Sequence, residues 1–292
     1  MTIGVVKAIV LERYGGPEVL REVELPDPKV GPDFVVVRVR AAGVNPVDWK
    51  VREGLADDAF DSRFPLVPGW DVAGVVERVG IAVATFAVGD EVIGYVRRDE
   101  LQHGTYAELV AAPVRTLAPK PASVGWAEAA GLPLAGLTAY QALRAAHVGA
   151  GDTVLIHAAA GGVGHLAVQL ARVLGAARVI GTASPRNHDF LRELGAEPVA
   201  YGDGLVDRVR ALAPKGVDAA LDLIGADAVA LSARLVSRPE RIVSVLDPGA
   251  AERVGGAYIF VRPDTTELSA LAALVDEGRL RVHVHRTFPL AE

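Results

Sequence analysis

The apolar residues of this chain follow two patterns, and the change between them falls near residue 120. Before that point, short valine-rich runs alternate with glycine and proline turns, which is typical of a small antiparallel barrel or sandwich. These runs are 34–40, 72–79 and 91–96. After it, apolar runs alternate with segments of helical periodicity, which is typical of a doubly wound parallel sheet. The pattern therefore predicts an α/β protein with two domains of different class.

One segment of the second half predicts a strand that turns through glycines directly into a helix. Residues 154–156 supply the apolar strand, Gly161, Gly162 and Gly164 the turn, and 165–174 the helix. Such glycines allow a tight turn, a close approach to a pyrophosphate and close packing of the helix on the sheet. A glycine run alone is as common in ordinary strand-to-helix loops, so the flanking strand and helix are what favour a dinucleotide-binding turn.

The segment after this helix bears on the choice of cofactor. A second strand, 178–182, follows at the spacing of a βαβ unit and ends without the acidic residue that would bind the ribose of NAD. It leads instead into Thr182, Ser184 and Arg186, whose hydroxyls and guanidinium suit a 2′-phosphate. The sequence therefore favours NADPH. The alternative is that Ser184 only caps a helix over 185–194 and Arg186 is solvated.

Four later segments complete the predicted secondary structure. Strands are predicted at 217–222 and 241–246, and they extend the parallel sheet. Residues 265–277 carry apolar side chains at helical spacing, and 280–288 alternate as a strand would.

Composition narrows the possible functions. The chain has 292 residues, which exceeds a usual single core, and its 51% hydrophobic content is enough to fill two. A net charge of −6 without basic blocks predicts no nucleic-acid partner. Residues 1–7 lack the pattern of a targeting segment and no apolar run reaches about 20 residues, so we expect a cytoplasmic protein with no membrane partner.

The absence of cysteine removes disulfides, thiolate nucleophiles and cysteine-ligated zinc from consideration. His283 and His285 share one face of the last predicted strand and could together approach a metal. Two histidines without a third ligand are more often surface or edge residues, so we expect no metal site.

Six motifs over nearly the whole chain resemble the medium-chain dehydrogenase/reductase superfamily, and within it the zinc-free quinone oxidoreductase-like branch. In the family's order they are 41–48 (AAGVNPVD), 65–74 (PLVPGWDVAG), 88–92 (VGDEV), 104–109 (GTYAEL), 136–140 (GLTAY) and 158–164 (AAAGGVG). The resemblance implies a GroES-like β-barrel catalytic domain over 1–120, rejoined by 263–292, and a Rossmann NADPH-binding domain over 121–262. It also implies an active site in the cleft between the domains and a homodimer formed through the Rossmann sheets.

The chemistry that the resemblance implies is hydride transfer from NADPH to a small-molecule acceptor, a quinone, an enone or a related carbonyl, without metal. Zinc-dependent members have a Gly-His-Glu element where this chain has Gly69, Trp70 and Asp71. The resemblance places Asn45 near the nicotinamide and the acceptor, and Thr138 beside the nicotinamide. The alternatives are that Asn45 is a turn residue and Thr138 a helix cap.

Two charged residues are candidates for catalysis by their position. Lys50 stands where some quinone reductases of this branch carry a tyrosine, and its cation could stabilise an enolate or donate a proton, or it could be solvated. Asp71 stands at a former metal-ligand position, where it could pair with Lys50 or hold the local turn.

The resemblance also assigns the cofactor site. Arg186 and Tyr201 match residues that contact the 2′-phosphate. Val245 and Leu246 end a strand at the carboxyl edge of the sheet, where the nicotinamide usually lies, and Ile224 is a candidate for the same reason. The full set of predicted cofactor residues is Ala160, Gly161, Gly162, Val163, Gly164, Thr182, Ser184, Arg186, Tyr201, Ile224, Val245 and Leu246.

The sequence also allows a function of another class. The chain could be a non-catalytic NADPH-binding protein, crystallin-like or redox-sensing. The resemblance further implies a helix and a final strand beyond a motif such as 288–292, where this sequence ends.

Overall fold

The computed structural model describes residues 4–292, so the N-terminal segment used above to predict location lies partly outside the described residues. The chain divides into two compact units. The first contains the residues up to Leu134 together with Pro263–Asp276 and Val282–Glu292, and the second contains Ala135–Arg262 and Glu277–Arg281. None of the helices within residues 4–292 has the length and apolar character that a membrane span requires.

The first unit is built mainly of short strands. They are β1 (Val5–Val10), β2 (Arg21–Pro26), β3 (Phe34–Gly43), β4 (Asp61–Val67), β5 (Asp71–Val79), β6 (Glu91–Tyr95), β7 (Glu100–His103), β8 (Leu109–Pro113) and β9 (Leu117–Pro119). Five of them form an antiparallel sheet in the order β8-β3-β5-β6-β9, while β1 pairs with β2 and β4 with β7. Strands β3, β5 and β6 confirm the prediction that the three valine-rich runs form strands.

Strands of the five-stranded sheet bury side chains on both faces, and each face contributes to an apolar cluster of the first unit. Val35 and Val37 of β3 pack with Val72 and Val76 of β5 in one apolar cluster, because side chains two apart on a strand share a face. Two short helices, α1 (Pro46–Arg52) and α2 (Trp126–Ala130), also belong to this unit.

The second unit contains a parallel six-stranded sheet, with one helix before its first strand and others between its strands. The helices are α3 (Pro133–Ala145), α4 (Gly162–Val173), α5 (His188–Glu193), α6 (Leu205–Leu212), α7 (Ala228–Ala233) and α8 (Pro248–Val254). The strands are β10 (Thr153–Ile156), β11 (Arg178–Thr182), β12 (Glu197–Val199), β13 (Ala219–Asp222), β14 (Ile242–Ser244) and β15 (Ala257–Tyr258). Helix α3 begins with the last two residues of the first unit.

The strand order is β12-β11-β10-β13-β14-β15, which confirms the predicted doubly wound sheet. The order reverses between β10 and β13, and in such sheets ligands bind at the carboxyl ends of the strands beside that switch point. Fully buried Leu155, Ile180, Ala220 and Ile242 come from four adjacent strands and share one core cluster.

Two predicted segments, 185–194 and 280–288, differ from the structure. The helix predicted over 185–194 is divided into a 3₁₀ turn, Pro185–Asn187, and α5. The last helix, α9 (Thr265–Asp276), agrees with prediction and returns to the first unit, where it packs on β9.

The prediction of a strand over 280–288 is wrong, because the backbone of these described residues is irregular. The backbone N–H of Arg281 donates to Gln169 Oε1 (2.8 Å), and its carbonyl accepts from Gln169 Nε2 (2.9 Å). The side-chain amide of Gln169 therefore satisfies the backbone N–H and carbonyl of Arg281, which a neighbouring strand would otherwise pair. The alternating pattern in the sequence reflects the burial of Leu280 and Val282 and not a strand.

Candidate functional site

A chain of buried polar contacts surrounds Asn45 in the first unit. Asn45 is the N-cap of α1, where Pro46 occupies the first helical position. Its backbone N–H donates to Asp48 Oδ2 (2.7 Å), and its side-chain Nδ2 donates to Asp71 Oδ2 (2.9 Å). Asn45 is therefore more than a turn residue before proline, because it joins two carboxyl groups that lie on different elements.

Asp71 is the first residue of β5 and is fully buried. Its other oxygen, Oδ1, accepts a hydrogen bond from the backbone N–H of Leu134 (2.9 Å). Burial raises the pKa of Asp71 to about 8, although the hydrogen bonds from Asn45 and Leu134 act in the opposite direction. A carboxyl group with this pKa is mostly neutral at pH 7.

Asp48 is the second carboxyl group of this cluster, and sequence reasoning missed it. Its Oδ2 also accepts from Tyr106 Oη (2.9 Å), while within residues 4–292 its Oδ1 has no hydrogen-bond partner. Burial raises the pKa of Asp48 to about 6, against the hydrogen bonds from Asn45 and Tyr106. The spacing Asn-x-x-Asp at a helix start is a capping signal that could have identified it. Tyr106 is 58 positions away in sequence and gives no local signal.

Lys50 does not join this cluster. It is half-buried in α1, and its ammonium lies 5.9 Å from the centre of the Trp49 ring. The structure gives Asp71 other partners, Asn45 and Leu134, in place of the Lys50 that the sequence offered as one alternative.

Trp70 occupies the position at which zinc-dependent relatives carry a histidine. Its ring lies 5.5 Å from the ring of Phe60 and 6.1 Å from that of Tyr95, measured between centroids. Trp70 thus contributes to an aromatic cluster of the first unit. Within residues 4–292, no three His, Asp or Glu side chains form a group that could hold a metal ion.

The glycine turn of the second unit connects β10 to α4, and its glycines have different roles. A Cβ on Gly164 would lie 2.3 Å from the carbonyl oxygen of Ala158, so this glycine is required for the packing of α4 on the turn. A Cβ on Gly162 would meet no protein atom within 4 Å. Gly161 and Gly162 are exposed at the start of α4, where Ala160 and Val163 flank them. The open space at Gly162 fits a bound diphosphate.

Thr182 supports this turn from the end of β11. Its Oγ1 accepts from the backbone N–H of Ala158 (3.0 Å), and its carbonyl accepts from that of Ala159 (2.9 Å). Ala158 has a φ of 52°, which is unfavourable for a residue with a Cβ, so the threonine holds a strained position in place. Thr182 is itself buried, and its hydroxyl is engaged by the turn.

The residues predicted to contact the 2′-phosphate lie after β11 and β12. Arg186 is exposed on the 3₁₀ turn that Ser184 precedes, and the Ser184 side chain makes no capping bond there. Tyr201 is 65% exposed on the loop after β12. The guanidinium of Arg208 orders this loop, because it donates to the carbonyl oxygens of residues 200–203.

The residues predicted near the nicotinamide follow β13 and β14. Ile224 is 60% exposed, Leu246 is 40% exposed and Val245 is half-buried. Thr138 is 5% exposed and is the sixth residue of α3, so it is not at the helix start where a capping role would place it. Exposed apolar groups and open glycines thus occur along the carboxyl edge of one parallel sheet, and these residues fit a dinucleotide.

Comparison with known proteins agrees with this arrangement. The family described as "Alcohol dehydrogenase GroES-like domain" matches residues 31–122, and the one described as "Zinc-binding dehydrogenase" matches residues 162–262. The solved quinone oxidoreductase from Coxiella burnetii is 36% identical with a TM-score of 0.86, and the alignment covers 99% of this chain and 93% of that one. The chain belongs to the quinone oxidoreductase-like branch of the medium-chain dehydrogenase/reductase superfamily.

Other members of the superfamily are similar over part of their length. The NADPH-dependent alkenal/one oxidoreductase of Arabidopsis thaliana is 45% identical over 197 residues, which cover 65% of this chain and 51% of that protein. The 2-methylene-furan-3-one reductase of Solanum lycopersicum is 43% identical over 190 residues, which cover 63% and 49%. This quinone oxidoreductase-like chain thus spans about half the length of these two relatives.

Proposed function

We propose that this protein is an NADPH-dependent, zinc-independent reductase that transfers hydride to a quinone, an enone or a related carbonyl acceptor. The observation that carries the proposal is the carboxyl edge of the parallel sheet. There an open glycine turn is followed by an exposed cation, Arg186, and the strand before that cation ends without an acidic residue. The names of the relatives from Arabidopsis thaliana and Solanum lycopersicum support the class of reaction.

The residues that would hold the cofactor divide between its two ends. The open backbone at Gly161 and Gly162 would receive the diphosphate, and Arg186 and Tyr201 the 2′-phosphate. Thr182 would act by holding the glycine turn, and Ser184 would offer its hydroxyl beside Arg186. When bound, the nicotinamide of NADPH supplies a hydride.

The acceptor side of the proposal rests on Asn45. One N–H of its amide is used by Asp71, so the amide is held in one orientation and its second N–H would donate to an acceptor oxygen. Lys50 would supply positive charge or a proton where negative charge develops on that oxygen. Thr138 is proposed to act beside the nicotinamide.

The donor set of the chain supports the proposed zinc independence. The sequence contains no cysteine, and the indole of Trp70 replaces the histidine that zinc-dependent members provide. Because Trp70 packs against Phe60 and Tyr95, its role is in the aromatic cluster. The cytoplasmic location and the homodimer remain predictions.

A cofactor titration of an arginine variant tests the proposal. Arg186→Ala should weaken NADPH binding about tenfold or more while NADH binding changes less than about twofold, because only NADPH carries the phosphate that the guanidinium would bind. Arg192→Ala is the matched control, since Arg192 is also an exposed cation nearby and pairs with Asp189. Equal loss of both cofactors, or no loss of either, would contradict the phosphate assignment.

A further inference from the structure

Two fully buried polar side chains lie next to each other at the ends of β13 and β14. Asp222 is the last residue of β13 and Ser244 the last residue of β14, and the two are register partners. Ser244 Oγ donates to Asp222 Oδ2 (2.7 Å), and both residues have no exposed surface. Buried polar groups of this kind need hydrogen-bond partners, and these two find further partners in the loops that follow their strands.

Asp222 fixes the loop after β13. Its Oδ1 accepts from the backbone N–H of Ile224 (3.0 Å) and from that of Gly225 (2.7 Å). Gly225 and Ala226 have φ values of 78° and 53°, and the second is unfavourable for a residue with a Cβ. The carboxylate therefore holds this loop in a conformation that the backbone alone would not favour.

Ser244 fixes the loop after β14. Its Oγ accepts from the backbone N–H of Leu246 (3.1 Å) and from that of Asp247 (2.9 Å), while its own proton goes to Asp222. A hydroxyl has one donor and two acceptor sites, so the hydrogen-bonding capacity of Ser244 is fully used. Both loops are thus held by one buried pair, which we name the Asp222–Ser244 clamp.

The two loops that the clamp holds present the exposed side chains of Ile224 and Leu246 at the same edge of the sheet. The glycine turn and Arg186 lie on the other side of the switch point, after β10 and β11. We propose that Asp222 and Ser244 are positioning residues that shape these loops for the nicotinamide half of the cofactor. The inference rests on the proposed function, and because both residues are fully buried they would act through the loops.

The test separates the two halves of the ligand. Ser244→Ala removes the hydroxyl, and NADPH and 2′,5′-ADP, which lacks the nicotinamide, are titrated by calorimetry. We expect the dissociation constant for NADPH to rise about tenfold or more, while that for 2′,5′-ADP changes less than about twofold. Ser232→Ala is the matched control, because Ser232 is another fully buried serine of the same unit and bonds to His157 instead of a loop. In this control both constants should stay within about twofold of the wild-type values.

A second variant leaves both clamp residues in place and applies if Ser244→Ala does not fold. Gly225→Ala puts a Cβ at a φ of 78° without contact closer than 3.9 Å, so it disturbs the loop and spares the core. It should reproduce the selective loss of NADPH. Equal weakening of NADPH and 2′,5′-ADP, or unchanged NADPH binding, would overturn the clamp while leaving the proposed function intact. Wild-type protein that bound neither ligand would overturn both.

Discussion

At the scale of single residues, Asp71 carries a pH dependence of stability. Its pKa in the folded protein is about 8, whereas a carboxyl group in an unfolded chain has a pKa of about 4. The stabilisation from this group is complete below pH 4, where both states hold the proton, and it is lost as the pH rises through 8. The loss occurs because the unfolded state releases the proton first.

Asp71→Asn removes this titration and can keep the hydrogen bond from Leu134. We expect the free energy of unfolding of the variant, relative to wild type, to increase by more than about 2 kcal/mol between pH 5 and pH 8.5, since each pKa unit corresponds to about 1.4 kcal/mol. Urea denaturation at several pH values measures it, with the exposed Asp58→Asn as control. A difference that did not change with pH would show that Asp71 ionises normally.

The glycine turn offers a comparison at two neighbouring positions. Gly164→Ala should lower the melting temperature, because its Cβ would lie 2.3 Å from a backbone oxygen. Gly162→Ala should leave the melting temperature nearly unchanged and weaken NADPH binding about tenfold, since its Cβ meets no protein atom but would occupy the space proposed for the diphosphate. Full NADPH affinity in the Gly162 variant would mean that the turn has only a structural role.

These residue-scale roles were only partly predictable from the sequence. Gly162 and Gly164 are identified by their spacing, but only the structure shows that the carbonyl of Ala158 crowds Gly164 while the space at Gly162 is open. The Asp48 side chain accepts a hydrogen bond from Tyr106, which comes from a distant segment. Local patterns identify residue types and spacing, whereas such long-range contacts arise only in the fold.

At the scale of elements, the loop after β12 depends on one side chain from α6. Arg208 donates from three nitrogen atoms to four consecutive carbonyl oxygens, at 2.7–3.3 Å. This loop carries Tyr201, so its order is linked to the proposed 2′-phosphate site.

Arg208→Lys should loosen this loop, because a single ammonium cannot reproduce the guanidinium geometry. We expect NADPH binding to weaken by about three- to tenfold with little change for NADH, and hydrogen exchange to increase over residues 200–204. Arg210→Lys is the control, as Arg210 lies on the same helix and donates to Arg234. Unchanged exchange in the loop would contradict the role given to Arg208.

Elements were predicted well where periodicity and end signals agreed. Strands β10 and β11 and helix α9 occur where the pattern indicated them. The strand predicted over 280–288 failed because alternation reports burial on one side but not whether a partner strand exists. Gln169 takes that partner's place, and its amide could not be assigned from sequence.

At the scale of the whole molecule, the change of pattern near residue 120 correctly indicated two architectures. The alternation of strands and helices predicted a parallel sheet with its carboxyl edge as the place for a ligand. The order β12-β11-β10-β13-β14-β15 comes from the structure, because right-handed crossovers allow more than one order. The Asp222–Ser244 clamp could not be predicted from the sequence, because the two residues become neighbours only when β13 pairs with β14.

The proposed reaction is the reduction of a quinone, an enone or a related carbonyl acceptor by NADPH without metal. The most direct measurement is NADPH oxidation at about 340 nm by purified, chelator-treated protein, with a panel of quinones and α,β-unsaturated ketones. We expect turnover that survives chelation and is faster with NADPH than with NADH. Tight NADPH binding without turnover on any acceptor would contradict it and favour a binding or sensing protein.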